Sequence, residues 1–127
     1  MFGDLRPDGL LRYRYDDVRA TDYLTGWINH LFLCAVAPAG VQRQTTWHSR
    51  DGSYRLAPCE PEAARAHLGR LMEFYRRGLS APLHFFPKSA WAYVKHRNSL
   101  AEARARWTNN RNPAWGEAAD PAYRLAL

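Results

Sequence analysis

The stretch PEAARAHLGRLMEFYRRGLSAPLHFFPKSAW, Pro61 to Trp91, carries two different signals in one run. Its first half places Ala64, Leu68, Leu71, Met72 and Tyr75 at the spacing i, i+4, i+7, i+8, i+11, which is one stripe of a helix. Pro61 suits the first helical position and Glu62 complements the positive end of the helix dipole. Arg76 and Arg77 fall in the last turn, and Gly78 suits the left-handed residue that follows a helix. The spacing therefore predicts a helix from Pro61 closed by Gly78. The second half, Pro82 to Pro87, is expected to be extended, because each proline disfavours helical backbone in its predecessor. Ser89 can then cap a short helix from Ala90 to His96.

Working outward toward the N-terminus, Val41 to His48 alternates, with Val41, Arg43, Thr45 and Trp47 on one face. Asp51-Gly52 is a hairpin turn signal, and Ser53 to Ala57 reads as the return strand of an edge hairpin. Before it, Leu24, Trp27, Ile28, Leu31, Phe32 and Ala35 form the wide stripe of a helix capped by Thr21 or Asp22 and stopped by Pro38-Ala39-Gly40. Leu10 to Tyr15 reads as a strand with Leu11, Tyr13 and Tyr15 on one face. With no partner expected before it, that strand suggests a chain cut from something longer. Toward the C-terminus, Ser99-Leu100-Ala101-Glu102 is a capping box for a second short helix. Asn109 to Pro113 is a loop, and the residues from Gly116 onward close the chain with a helical turn or two.

A chain of 127 residues fits one domain, 1–127, with a modest core. No apolar run approaches the roughly 20 residues of a membrane span, and Met1-Phe2-Gly3-Asp4 does not begin a signal peptide. The two cysteines, Cys34 and Cys59, form no disulfide framework or CxxC, so a reduced, cytoplasmic protein is expected. The formal charge is +6, carried by 16 Arg and 2 Lys against 12 Asp and Glu. A basic, arginine-rich surface favours polyanions such as nucleic acid. Lys88, Trp91, Lys95, Arg97, Arg104, Arg106 and Trp107 interleave cations with aromatics, as single-strand binders do. With Arg76 and Arg77 they are the candidate contacts to DNA or to a partner. Trp91 and Trp107 read more readily as anchors of the short helices, with the arginines solvated, and the contact reading stays open beside it.

The chemistry of an enzyme is harder to find. A metal-dependent nuclease of the restriction-enzyme kind needs an aspartate on one strand and an acid-x-lysine on the next, to hold a divalent cation and activate water. Lys88 is preceded at that spacing by Phe86 and Lys95 by Tyr93, so no acid-x-lysine exists here. His30 and Cys34 lie one helical turn apart, a metal-ligand spacing, but no second close pair completes a site. The same two residues, or Cys59, are the material for a small cysteine enzyme, and a buried thiol would be inert. Neither a phosphate-cradling glycine loop nor GxSxG occurs. No catalytic residue, metal or cofactor is expected.

Five ordered motifs point to a family. They are L-x-G-W-x-x-H-L-x-x-C-A at 24–35, E-P-E-A-A at 60–64, Y-R-R-G-L-S-A-P-L at 75–83, F-F-P-K-S-A-W-A at 85–92 and G-E-A-A-D-P-A-Y at 116–123. Together they resemble the C-terminal region of the gamma subunit of exodeoxyribonuclease V (RecC). The resemblance implies a partial restriction-endonuclease-like fold that has lost its catalytic motif. It implies work inside the three-subunit helicase–nuclease that repairs DNA double-strand breaks by recombination, with RecB and RecD as partners and DNA met through the complex. The fold class expected is mixed α/β: strand, helix, hairpin and helix, with short C-terminal helices. The function expected is that of a non-catalytic structural and interaction domain, with a stand-alone basic single-stranded nucleic-acid-binding module as the alternative. If the chain is a fragment, an exposed apolar patch would drive self-association.

Overall fold

The computed structural model describes residues 5–125 and 127. They form a mixed α/β structure in two compact units, Met1–Phe74 and Tyr75–Leu127. In chain order the elements are β1 (Leu5–Arg6), β2 (Gly9–Tyr13), α1 (Ala20–Val36), β3 (Thr45–Ser49), β4 (Gly52–Leu56), α2 (Pro61–Ser80), α3 (Pro87–Lys95), α4 (Leu100–Thr108) and α5 (Pro121–Arg124). Two 3₁₀ turns, Pro113–Trp115 and Glu117–Ala119, precede α5.

The first unit is built on a four-stranded sheet in the order β1-β2-β3-β4. The central pair, β2 and β3, is parallel; β1 on β2 and β4 on β3 are antiparallel. A parallel pair needs a long crossover, and α1 is that crossover. The strand at Leu10 does have an earlier partner, β1, reached through Pro7-Asp8. Gly9, at φ 124°, makes that turn possible, and a Cβ there would collide with the Gln44 carbonyl oxygen. Leu10 is the buried side chain of β2, while Tyr13 at its far end is exposed. Thr45 and Trp47 point inward from β3, as their alternation predicts. Val41 to Gln44 are not strand. Gly40 at φ 75°, with hydrogen bonds from Val41 N–H to Pro38 and from Gln44 N–H to Gln42, curls this segment before β3 begins.

Helix α1 starts earlier than its polar residues suggest, with Arg19 as N-cap. Asp22 sits at the third helical position instead and accepts the Arg19 backbone N–H at 2.8 Å. Arg14 clasps the same carboxylate at 3.0 and 3.2 Å, tying the end of β2 to the start of α1. The core around α1 joins Leu31, Cys34 and Ala64, with Trp27, Leu68 and Leu71 packed against them. Each fully buried leucine contributes about 1.5–3 kcal/mol. Helix α2 thus packs through the first part of the stripe read from its sequence, while Met72 and Tyr75 are exposed. It does not stop at Gly78, which is helical, and a Cβ there would press on Leu83 Cδ1 at 3.2 Å.

The second unit is centred on aromatic rings. Phe86 lies 4.6 Å from Trp107 and 5.4 Å, edge-on, from Tyr123, between ring centroids. Helix α3 begins at Pro87, earlier than expected, and Ser89 does not cap it. Its cap comes from a distant residue, Glu117, whose carboxylate accepts the backbone N–H groups of Lys88 and Ser89 at 2.9 and 2.8 Å and the Ser89 hydroxyl at 2.6 Å. Glu117 is 2% exposed. Gly116, beside it, lets the backbone approach the Trp107 and Thr108 carbonyl groups, which a Cβ would meet at 2.6 and 2.7 Å. Ser99 caps α4 by accepting the Glu102 N–H, as the capping box predicts, and Asp120 caps α5 ahead of Pro121.

Candidate nucleic-acid interface

All nine candidate contact residues fall in the second unit. Arg76 and Arg77 are exposed near the end of α2. Lys88 lies in the first turn of α3 with its side chain exposed and its backbone N–H bonded to Glu117. Trp91 is 37% exposed, and Lys95 is exposed in the last turn of the same helix. Arg97 stands in the connection to α4, and Arg104 and Arg106 are exposed on α4. Trp107 is half-buried against Phe86. The structure therefore presents the cations to solvent and puts one of the two tryptophans into the aromatic centre. Sequence spacing gave no signal for Glu117, the acid that orders the start of α3, beyond its place in a motif.

The other candidate chemistry lies in the first unit. His30 is buried and uses both ring nitrogens: Nδ1 meets Thr45 Oγ1 at 2.9 Å and Nε2 meets the Ala57 carbonyl at 2.8 Å. A carbonyl only accepts, so Nε2 carries the proton and Nδ1 accepts from the Thr45 hydroxyl. Burial pushes the His30 pKa down, partly opposed by the bond to Ala57. Cys34 Sγ lies 3.4 Å from His30 Nε2 and is wholly buried, and burial pushes its thiol pKa up. A histidine committed to two structural bonds beside a thiol held protonated is a packing arrangement, not a nucleophile pair. Among the described residues no three His, Cys, Asp or Glu side chains come close enough to share a metal ion. None of the four strands carries an Asp, Glu or Lys. Asp16, Asp17, Asp22 and Glu62 stand in loops and helix starts and engage arginines. Asp17 bonds Arg50 at 2.9 Å, Asp16 lies 3.3 Å from Arg19, and Glu62 bonds Arg65 at 2.9 Å.

The motif at 24–35 now has a physical content. Gly26 is buried where α1 meets β4, and a Cβ there would stand 2.5 Å from Tyr54 Oη and 3.3 Å from the Trp47 ring. Trp27 packs edge-on to His67 of α2, His30 joins β3 to the end of β4, and Leu31 and Cys34 fill the core. Residues 1–98 match the family described as the RecC C-terminal domain.

The chain belongs to that family.

It is also 37% identical over 91 residues to RecBCD enzyme subunit RecC of Escherichia coli (strain K12). That match takes in 72% of this chain and 8% of RecC, so the chain spans a small part of the length of its relative. The family match includes the sheet, α1, α2 and α3 and ends before α4, whereas the Glu117 cap on α3 lies beyond it.

Proposed function

We propose that this chain is the non-catalytic C-terminal interaction domain of a RecC-type subunit, acting in a cytoplasmic RecBCD-type complex that processes DNA double-strand breaks for recombinational repair. Its partners in this reading are subunits of the RecB and RecD kind, and it meets DNA within the assembly. Family membership over residues 1–98 carries the reading. The mixed sheet with a helical crossover supports descent from a restriction-endonuclease-like fold, and the make-up of the strands supports loss of its chemistry. Such a nuclease suspends its metal between acids on adjacent strands, whereas these four strands offer only LR, GLLRY, TTWHS and GSYRL.

Two measurements test the proposal. Incubated with linear DNA and magnesium or manganese, the purified chain is expected to leave the DNA intact. Cleavage that follows the protein through successive columns and survives a mock-purification control overturns the non-catalytic reading. Mixed with a purified, nuclease-treated RecB-type subunit free of DNA, the chain or a subunit carrying it is expected to co-purify. Failure of both to associate removes the assembly reading.

A further inference from the structure

The charge of this protein is sharply divided. Residues 1–74 hold nine arginines and nine acids, so they are formally neutral. Residues 75–127 hold nine arginines and lysines against three acids and carry the whole +6. The use made of the acids widens the difference. In the first unit five of them engage arginines, among them Asp22 with Arg14, Asp17 with Arg50 and Glu62 with Arg65. In the second, Glu117 is buried under the start of α3 and Asp120 caps α5. Among the described residues no ion pair engages Lys95, Arg97, Arg104 or Arg106.

Two of these cations share a concavity. Helices α3 and α4 join through Arg97 and Asn98, both in the left-handed region at φ 55° and 62°. The bend opens a shallow space of about 360 Å³ lined by Lys95, His96, Arg97, Ser99 and Glu102. Sites for small apolar ligands enclose what they bind between apolar walls. This one is open and polar, which suits an anion presented on a longer chain. Trp107 is half-buried against Phe86, so that ring is not open to stack on a base. The lining offers cations and hydrogen-bond donors of the kind that contact phosphate, a contact that carries no base readout.

We propose that the α3–α4 corner is a binding site for the phosphodiester backbone of a nucleic-acid strand, with Lys95 and Arg97 as the phosphate contacts and Glu102 as an opposing charge that weakens it. The inference rests on the DNA-processing reading above, and the two fail separately, because association with partner subunits is measured without DNA. The test uses the intact chain and a fluorescein-labelled oligothymidylate, with anisotropy followed from about 50 to about 200 mM salt. The double variant Lys95→Gln/Arg97→Asn keeps a residue tolerant of left-handed backbone at position 97. It is expected to bind roughly tenfold more weakly at the low-salt end and to lower the slope of log affinity against log salt by about 1.4, at about 0.7 per lost contact to a single strand. Glu102→Gln is expected to bind more tightly than the parent. Arg55→Gln/Arg70→Gln, two exposed arginines of the neutral unit, is expected to change binding less than twofold. Equal loss in both double variants, unchanged affinity in Lys95→Gln/Arg97→Asn, or no binding by the parent at low salt each overturns the site. Displacement by polyglutamate at equal charge concentration also overturns it, in favour of an acidic protein partner.

Discussion

Two residues of α1 show how a sequence motif becomes a packing rule. Gly26 sits in a helix interior, where alanine would ordinarily gain about 1 kcal/mol of helix propensity. Here a Cβ would stand 2.5 Å from Tyr54 Oη, and Tyr54 is held by its bond to the Asp22 carbonyl and by its stack on Trp47. Gly26→Ala is therefore expected to destabilise the fold by about 1–3 kcal/mol, measured by urea unfolding, despite the propensity gain. A neutral or stabilising effect would show that the α1–β4 contact is soft. His30 gives a pH dependence. Burial depresses its folded pKa, so below the ordinary imidazole value, about 6.5, the unfolded chain takes up a proton that the folded chain refuses. Stability is expected to be level just above neutrality and to fall as pH drops from about 6.5 toward the depressed folded value. His30→Gln, which keeps a donor for Ala57, should lower stability at neutral pH but flatten that fall; an unchanged fall in the variant assigns the effect to other groups. The helical spacing that places Leu31 in the core is readable in the sequence, whereas Leu33 and Cys34, both buried, lie off the stripe and Phe32, on it, is 47% exposed. What the histidine bonds to is not readable there, because both partners, Thr45 and Ala57, lie in other elements.

At the scale of elements, local signals located the helices better than their ends. Hydrophobic period and proline placement found α1, α2, α3 and α4, since these are properties of neighbouring residues. The ends depend on groups outside the helix. Gly78 looks like a terminator but lies within α2, where its missing Cβ accommodates Leu83. Ser89 looks like a cap, yet its hydroxyl and backbone N–H both go to Glu117, 28 residues downstream. This tertiary cap has a consequence for α3. Glu117→Gln keeps the size of the side chain and removes its charge, so charge-assisted bonds to two helix N–H groups become ordinary ones. The expected cost is about 1 kcal/mol, with faster hydrogen exchange at the Lys88 and Ser89 amides and little change in β3. Exchange that quickens evenly through the chain would mean that Glu117 is not specific to α3. The end of α1 offers the opposite case. Ala37 adopts the left-handed conformation, φ 45°, while donating to the Leu33 carbonyl, a position that favours glycine. Ala37→Gly is expected to raise stability by about 1 kcal/mol in the same unfolding assay.

The molecule as a whole combines a neutral unit, a strongly basic one and many exposed apolar side chains, and these make opposite demands on salt. Phe32 and Val36 on α1 are 47% and 66% exposed, Met72 on α2 is 53% exposed, and Leu100 on α4 is 64% exposed. Large apolar side chains in this number are unusual on an isolated monomer and fit a surface covered by other protein. Sequence periodicity could not reveal this, because a stripe at helical spacing looks the same whether its partner lies within the chain or in another molecule. For the purified chain, such side chains favour self-association through apolar contact, while the +6 charge of residues 75–127 sets copies against each other. Added salt screens that repulsion over a Debye length of about 10 Å at 0.1 M and leaves apolar burial intact. Sedimentation is therefore expected to show a mass rising above the 14.6 kDa monomer with protein concentration, and rising further with salt. Binding of a nucleic-acid strand to the α3–α4 corner must move the other way and weaken with salt, because it depends on the very charges that salt screens. A chain that stays at 14.6 kDa across concentration and salt would mean that its exposed apolar residues are too scattered to form an interface. Association that dissolves as salt is added would mean that copies are held by charge, leaving the apolar side chains without the role argued for them here.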